Sequence, residues 1–332
     1  IVEEESLTFS VPVARLATPD LGMRADGAYA SLFAPAVSFF AIPGYLLGKA
    51  LGASQVGAYA VIALFALANI FFIRGIALRL GAEPFAATLA GLAFGFATPA
   101  FAYGVNLYQH HVSAFLLLSS FYLLLRFHNV WSLAYVWFAC ALAVVVDNPN
   151  FFLMFPIGAY ALWLMWQVST VAGMKGRQIR WPHMVLSLLT FLSMAAPIVF
   201  FLWYNQSAYG NPFQLSGTLQ GVDEIGPDGR PAKENTYEKE TGVISVADEN
   251  DAGASKEKTA LGFFETRNLY NGFYIHFLSP DRGILWYAPV VLVGAAGLML
   301  IYRRRHDVTA IILATVGVNI LLYSMWDDPW GG

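Results

Sequence analysis

The sequence predicts an all-α integral membrane protein with about eight transmembrane helices, an interfacial juxtamembrane helix and one large external loop. Of its 332 residues, 57% are apolar and only 12% are charged, whereas soluble domains carry roughly 25% charged residues. The mean hydropathy is +0.55. The apolar residues form runs close to the ~20 residues that cross a bilayer as a helix. Many basic residues collect in the short loops between those runs, which is typical of the cytoplasmic side of a membrane protein.

Eight apolar runs are predicted to cross the membrane, six before the longest polar segment and two after it. The predicted spans are residues 56–78, 85–103, 111–127, 131–146, 151–170, 183–204, 284–302 and 307–325. This pattern divides the chain into an external segment 1–55, a six-helix region 56–204, an external loop 205–283, and a region 284–332 that holds two helices and the start of an external motif.

A ninth apolar run, residues 32–51, is interrupted by two prolines and two glycines. If this run does not cross the membrane, four basic clusters share one face; if it crosses, the N-terminal 30 residues move to the cytoplasm. The clusters are Arg74 with Arg79, Arg126 alone, Lys175 with Arg177 and Arg180, and Arg303 to Arg305. We interpret residues 32–51 as an interfacial or re-entrant helix, which Pro and Gly permit where protein covers the segment.

This orientation places nearly every candidate for chemistry on the external face. His110 and His111 follow the second span together with Asn106, and such groups can bind phosphate or metal or transfer protons. Adjacent histidines point to different helix faces, so at most one is expected to face a cavity. Asp147 closes the next external turn, where a carboxylate is costly unless it is paired, solvated or functional. Its alternative role is structural, because Asp-Asn-Pro is common turn chemistry and Asp can cap the next helix.

Two further external positions carry charge beside aromatic residues. Arg282 precedes the seventh span, and its planar guanidinium suits a phosphate, or else it forms an interfacial ion pair with Asp281. Trp326, Asp327 and Asp328 follow the last span. Paired carboxylates between indoles suit a divalent cation or sugar hydroxyls, or else form an aromatic belt with a solvated acidic turn.

The external loop contributes two weaker signals. Residues 205–207 fit the Asn-X-Ser pattern of N-glycosylation, and residues 226–258 are charged and Gly-rich, which predicts a flexible segment or a small lid. The sequence has no P-loop, no dinucleotide-binding glycine motif and no cysteine metal motif, and nothing in it predicts a nucleic-acid partner.

Three stretches of the chain together resemble the GT-C type membrane glycosyltransferases related to protein O-mannosyltransferases. The first runs from Asp26 to Gly48. The second combines residues 204–212 with residues 278–289, and the third is residues 323–332. The likeness extends over most of the chain, but these motifs are those of a family and name no substrate.

The resemblance implies an inverting transfer of a sugar from a polyprenyl-phosphate donor to an acceptor on the outer face of a bacterial or archaeal cytoplasmic membrane, for the cell envelope. In that family an external Asp or Glu is the base, and cationic groups hold the lipid phosphate. The resemblance puts the base upstream of residue 1, with Asp26 as the fallback. The other implied site residues are Asn106, His110, His111, Asp147, Arg282, Trp326, Asp327 and Asp328.

Two alternatives remain open. A catalytically inactive GT-C-like subunit would act as a scaffold or assembly partner in a larger complex, and the absence of an external acid after a first span would favour it. A transporter would place ionisable groups at mid-membrane on broken helices, whereas the predicted span interiors carry almost no charge. The expected partners are membrane lipids, a polyprenyl-phosphate-linked sugar and, for the scaffold, other proteins of the complex.

Overall fold

The computed structural model describes residues 2–3, 5–18, 20–173, 176–222, 224–231, 262 and 264–326. The chain divides into two compact units. The mixed unit comprises Ile1–Ala34, Phe200–Leu269 and Met325–Gly332, and the helical unit comprises Pro35–Val199 and Tyr270–Ser324. Most of the segment predicted to be flexible or a lid lies outside the described residues.

Helices dominate the described chain, as the sequence predicts. They are α1 Val11–Ala17, α2 Ala36–Ala50, α3 Ser54–Arg79, α4 Pro84–Phe96, α5 Ala100–Tyr103, α6 His110–Arg126, α7 Val130–Val146, α8 Asn150–Val168, α9 Trp181–Leu189, α10 Ala195–Tyr209, α11 Leu269–Phe277, α12 Ile284–Tyr287, α13 Val290–Tyr302 and α14 His306–Ser324. The strands are β1 Leu21–Met23, β2 Tyr29–Ser31, β3 Thr170–Gly173, β4 Gly176–Ile179 and β5 Gln220–Val222.

Four helical segments are long and apolar enough to cross a membrane: α3, α8, α14 and Trp181–Tyr209, which joins α9 to α10. Four shorter apolar helices, α2, α4, α7 and α13, accompany them. Large apolar side chains such as Phe71 and Val293 are about 70% exposed, which suits a surface in contact with lipid. The helical, apolar class is confirmed in this form, and the number of eight crossings stays a prediction.

Prolines shorten two of the predicted spans. The run 85–103 ends as α4 at Phe96 and resumes after Pro99 as α5, and the run 284–302 is divided at Pro289 into α12 and α13. The residue before a proline is disfavoured in the helical conformation. Ala288 accordingly has φ −143° and ψ 59°. Apolar composition alone therefore overestimated the length of these helices.

The helix α2 packs antiparallel along the N-terminal half of α3. Phe40 contacts Phe65 with ring centroids 5.5 Å apart. Gly44 and Gly48 both lie close to Gly57. A Cβ on Gly57 would overlap the Gly44 carbonyl oxygen. The structure therefore shows residues 36–50 as a helix packed along α3. The placement of residues 32–51 as an interfacial or re-entrant helix stays a prediction.

The close approach of α2 and α3 makes Gly57 a sensitive position. We expect Gly57→Ala to lower the free energy of unfolding by about 3 kcal/mol, because the added methyl meets backbone atoms that cannot rotate away. The control is Gly294→Ala in α13, where a Cβ meets nothing within 4 Å and helix propensity favours Ala by up to about 1 kcal/mol. Thermal unfolding of both variants in detergent tests this, and equal stability of the two would contradict it.

The mixed unit contains a three-stranded antiparallel sheet in the order β2, β1, β5, which the sequence did not predict. Leu21 pairs with Val222, and both belong to a small core with Ala14 and Tyr29. Because paired strands lie together, residues 21–23 and 220–222 must lie on the same side of any membrane that the chain crosses. With the predicted six crossings between these strands, that agrees with residues 32–51 not crossing, and the number of crossings stays a prediction.

Candidate functional site

Asp147 lies in the turn between α7 and α8, at one end of the helical unit. Its backbone N–H donates to the Ala143 carbonyl at 3.0 Å, which closes α7, while the N-cap of α8 is Pro149 and has no side-chain cap. The carboxylate is therefore not used as a helix cap. It instead accepts a hydrogen bond from the Gln109 side chain, and desolvation raises its pKa to about 6 in spite of that bond.

An aromatic cluster stands beside Gln109, at the junction of α5 and α6. Tyr103 contacts His110 edge to face with ring centroids 4.6 Å apart, and Tyr108 lies 5.9 Å from each of those rings. Desolvation, with a smaller contribution from His111, lowers the pKa of His110, although the residue is exposed at the surface. The structure thus presents an imidazole with a lowered pKa and two phenols near the Asp147 turn.

The end of α14 and the helix α11 bring further polar groups to this end of the helical unit. Tyr323 interacts electrostatically with both Asp147 and Tyr103. His276 Nε2 lies 3.2 Å from the Tyr323 carbonyl oxygen. Arg282 acts electrostatically on His276, whose pKa is lowered by desolvation first and by this charge to a smaller extent, against the hydrogen bond to Tyr323. Asp147 and His276 therefore both lie near Tyr323, and Arg282 lies near His276.

A tight turn holds Arg282 at the surface. Ser279 is buried; its carbonyl accepts from the Gly283 N–H at 2.7 Å, and its hydroxyl accepts from the Asp281 N–H at 3.2 Å. A Cβ on Gly283 would lie 2.5 Å from the Ser279 carbonyl oxygen, so this position requires glycine. The Ser279 hydroxyl also lies 3.5 Å from Asp281 Oδ2, and the alternative role of Arg282 in an interfacial ion pair with Asp281 stays a prediction.

His111 has a structural role instead of facing a cavity. It is 4% exposed, and its Nε2 lies 2.8 Å from the Ala100 carbonyl oxygen. The Asn69 amide donates to the His111 carbonyl at 2.9 Å and lies 3.3 Å from Nδ1. Both ring nitrogens of His111 are occupied, and His110 is the histidine of the pair left at the surface. That at most one of the two faces a cavity stays a prediction.

Asn106 and Asn205 also make local contacts. The Asn106 amide donates to the Ala102 carbonyl at 2.8 Å, which closes the end of α5. Asn205 is 1% exposed, and its Nδ2, the atom that would carry a glycan, donates to the Pro212 carbonyl at 3.2 Å. The glycosylation pattern at Asn205 is therefore inaccessible in this fold.

Asp26 occupies the turn between β1 and β2 in the mixed unit. Its Oδ2 lies 2.8 Å from Arg24 Nη2, and its Oδ1 accepts from the Ala28 N–H at 3.1 Å. Arg24 also donates to the Ser207 carbonyl at 3.2 Å. Both carboxylate oxygens of Asp26 are therefore engaged in turn and ion-pair contacts, and its role as fallback base stays a prediction.

Trp326 lies in the mixed unit, where its ring packs edge to face on Phe264 at 5.5 Å. Asp327 and Asp328, which carried the prediction of a divalent cation or sugar hydroxyls, lie outside the described residues. Within the described part of the chain, no group of three His, Cys, Asp or Glu side chains could hold a metal ion.

The raised pKa of Asp147 predicts a specific pH dependence of stability. The folded protein favours the neutral acid, so it binds more protons than the unfolded chain between pH ~4 and pH ~6 and loses stability as the pH rises through that window. We expect Asp147→Asn to remove this loss and to gain at most about 3 kcal/mol at pH 7. Unfolding of wild type and variant from pH 4 to 8 tests the sign, and parallel curves would contradict it.

Sequence reasoning omitted Gln109, Tyr323 and His276 from the site. Gln109 could have been included, since it stands beside the two histidines in the same external turn. His276 had no such signal, because its link to Tyr323 joins residues 47 positions apart.

Comparison with protein-family models gives no match, and neither do comparisons with curated proteins and with solved structures. The functional argument for this chain therefore rests on its own residues and their geometry.

Proposed function

We propose that the chain is a GT-C type membrane glycosyltransferase that moves a sugar from a polyprenyl-phosphate donor to an acceptor hydroxyl on the outer face of a bacterial or archaeal cytoplasmic membrane. The observation that carries the proposal is Asp147, a desolvated carboxylate held by Gln109 at one end of an apolar helical unit. Asp147 is half-buried and has no ion pair among the described residues. A desolvated carboxylate is costly there, and function accounts for that cost.

Asp147 is the proposed general base. A pKa of about 6 leaves the carboxylate ionised at neutral pH and still basic enough to accept a proton as an acceptor hydroxyl attacks. Next to it, the Oδ1 atom of Asn148 is buried and has no hydrogen-bond partner among the described residues. That acceptor suits the hydroxyl of an incoming sugar or side chain.

Arg282 is proposed to hold the lipid phosphate. Arg282 is exposed and acts electrostatically on His276, which lies beside Tyr323, the residue on which Asp147 also acts. A fixed cation stabilises the charge that develops on a departing phosphate. Tyr103 and Tyr108 offer ring faces on which the sugar can stack.

The proposed reaction is a single displacement. The acceptor oxygen forms a bond to the anomeric carbon, and the bond from that carbon to the phosphate oxygen breaks. Polyprenyl phosphate leaves with the electron pair, and the acceptor proton passes to the Asp147 carboxylate.

The test is donor consumption by the purified chain in liposomes, with radiolabelled polyprenyl-phosphate sugars and a mixture of hydroxyl acceptors. We expect release of polyprenyl phosphate above that of protein-free liposomes for at least one donor. If no donor is consumed, while the same chain purifies from its native membrane in a stoichiometric complex, the inactive scaffold replaces the enzyme.

A further inference from the structure

A groove lies between α3 and α6, and none of the residues that line it takes part in the proposed transfer. It has a volume of about 730 Å³, within the roughly 300–1,000 Å³ of small-molecule sites. Its wall is apolar along its length, with Phe71, Phe72, Leu78 and Phe115. Phe71 is 70% exposed, so protein leaves this wall largely uncovered.

The two helices that form the groove run parallel. Phe115 of α6 packs on Phe65 and Phe72 of α3 with ring centroids 5.1 and 5.5 Å apart, and Tyr122, further along α6, packs on Phe72 at 5.7 Å. The Tyr122 ring packs against Gly75, and a Cβ on Gly75 would lie 2.8 Å from that ring. Both helices therefore end at the same end of the groove.

Three arginines gather at that end. Arg74 and Arg79 line the groove, and Arg126 donates to the Tyr122 hydroxyl at 2.6 Å. Arg74 uses its Nε to donate to Thr88 Oγ1 at 3.0 Å. None of the three forms an ion pair with a carboxylate in the part of the chain that the structure describes. The groove is thus apolar along its wall and cationic at one end.

We propose that this groove binds one anionic phospholipid of the cytoplasmic leaflet, with an acyl chain along the α3 and α6 wall and the phosphate between Arg74, Arg79 and Arg126. The charges are complementary, and basic pockets between transmembrane helices on the cytoplasmic side suit anionic head groups. Arg74 and Arg79 also belong to the clusters that the distribution of basic residues assigns to that side. A soluble anion would leave the aromatic wall uncovered, whereas a lipid covers both parts.

The full chain is purified from liposomes that contain equal amounts of phosphatidylglycerol and phosphatidylcholine. The test measures how much of each phospholipid stays bound to the chain. We expect selective retention of phosphatidylglycerol and a roughly 10- to 30-fold weaker binding in the double variant Arg74→Gln, Arg79→Gln. The matched control, Arg303→Gln with Arg304→Gln, removes two arginines that do not line the groove and should retain the lipid.

A second variant separates the groove from simple surface charge. Ala68→Trp fills the apolar wall but keeps every arginine, and it should lower retention as much as the double arginine variant. Equal retention of the two phospholipids by wild type, equal losses in the groove and control doubles, or full retention in Ala68→Trp would each overturn the proposal. Circular dichroism of each variant in detergent verifies that the helical content is unchanged.

Discussion

Asp147→Asn is expected to lower the rate of sugar transfer by about 100- to 10,000-fold, the range that a general base contributes. Asparagine keeps the size of the side chain and can still hydrogen-bond Gln109, but it cannot accept the acceptor proton. Wild-type transfer should rise as the pH passes the Asp147 pKa of about 6, and the residual rate of the variant should not.

The control for Asp147 is Glu83→Gln. Glu83 precedes α4 as its N-cap but makes no side-chain capping bond, and it follows the arginine-bearing end of α3. Its replacement should leave transfer within a factor of two. If Asp147→Asn behaves like Glu83→Gln, Asp147 is not the base, and Asp26 becomes the next candidate for replacement.

Arg282→Ala is expected to reduce transfer by about 100- to 1,000-fold, the effect of removing one donor that stabilises a developing anion. Arg282→Lys should recover part of the rate, since it restores the charge but not the planar fork of donors that binds two phosphate oxygens. Measuring kcat and KM for the donor separates the roles: a loss in kcat indicates contact with the leaving phosphate.

The control for Arg282 is Arg303→Ala, on the opposite loop after α13. It should change neither kcat nor KM. Unchanged transfer in Arg282→Ala would remove this residue from the mechanism, while Asp147 would remain testable by its own variant.

The sequence predicted where the helices next to the candidate site end. The hydropathy boundary after Val146 placed Asp147 at the end of α7, and the observed helix ends at Val146. Likewise, the boundary of the last span at residue 325 is close to the observed end of α14 at Ser324. Such boundaries follow from the cost of placing polar groups in an apolar medium, which is visible in a single sequence.

The sequence could not predict the contacts that join distant segments. The pairing of Leu21 with Val222 and the amide of Asn69 that fixes His111 depend on tertiary packing. The close approach of Gly57 to Gly44, which packs α2 along α3, likewise depends on tertiary contacts. A pattern of apolar and polar residues does not specify which surfaces meet, so the division of roles between His110 and His111 required the structure.

The proposal that transfer takes place beside Asp147 is tested most directly by finding where a polyprenyl-phosphate donor binds. A photoreactive donor analogue, cross-linked to the chain in liposomes and mapped by peptide mass spectrometry, should label residues 103–110, 147–150 or 276–283, at the Asp147 end of the helical unit. The unlabelled donor should compete for that labelling. Competable label confined to residues 71–79 and 122–126, beside the arginine groove, would contradict the placement of the transfer site at Asp147.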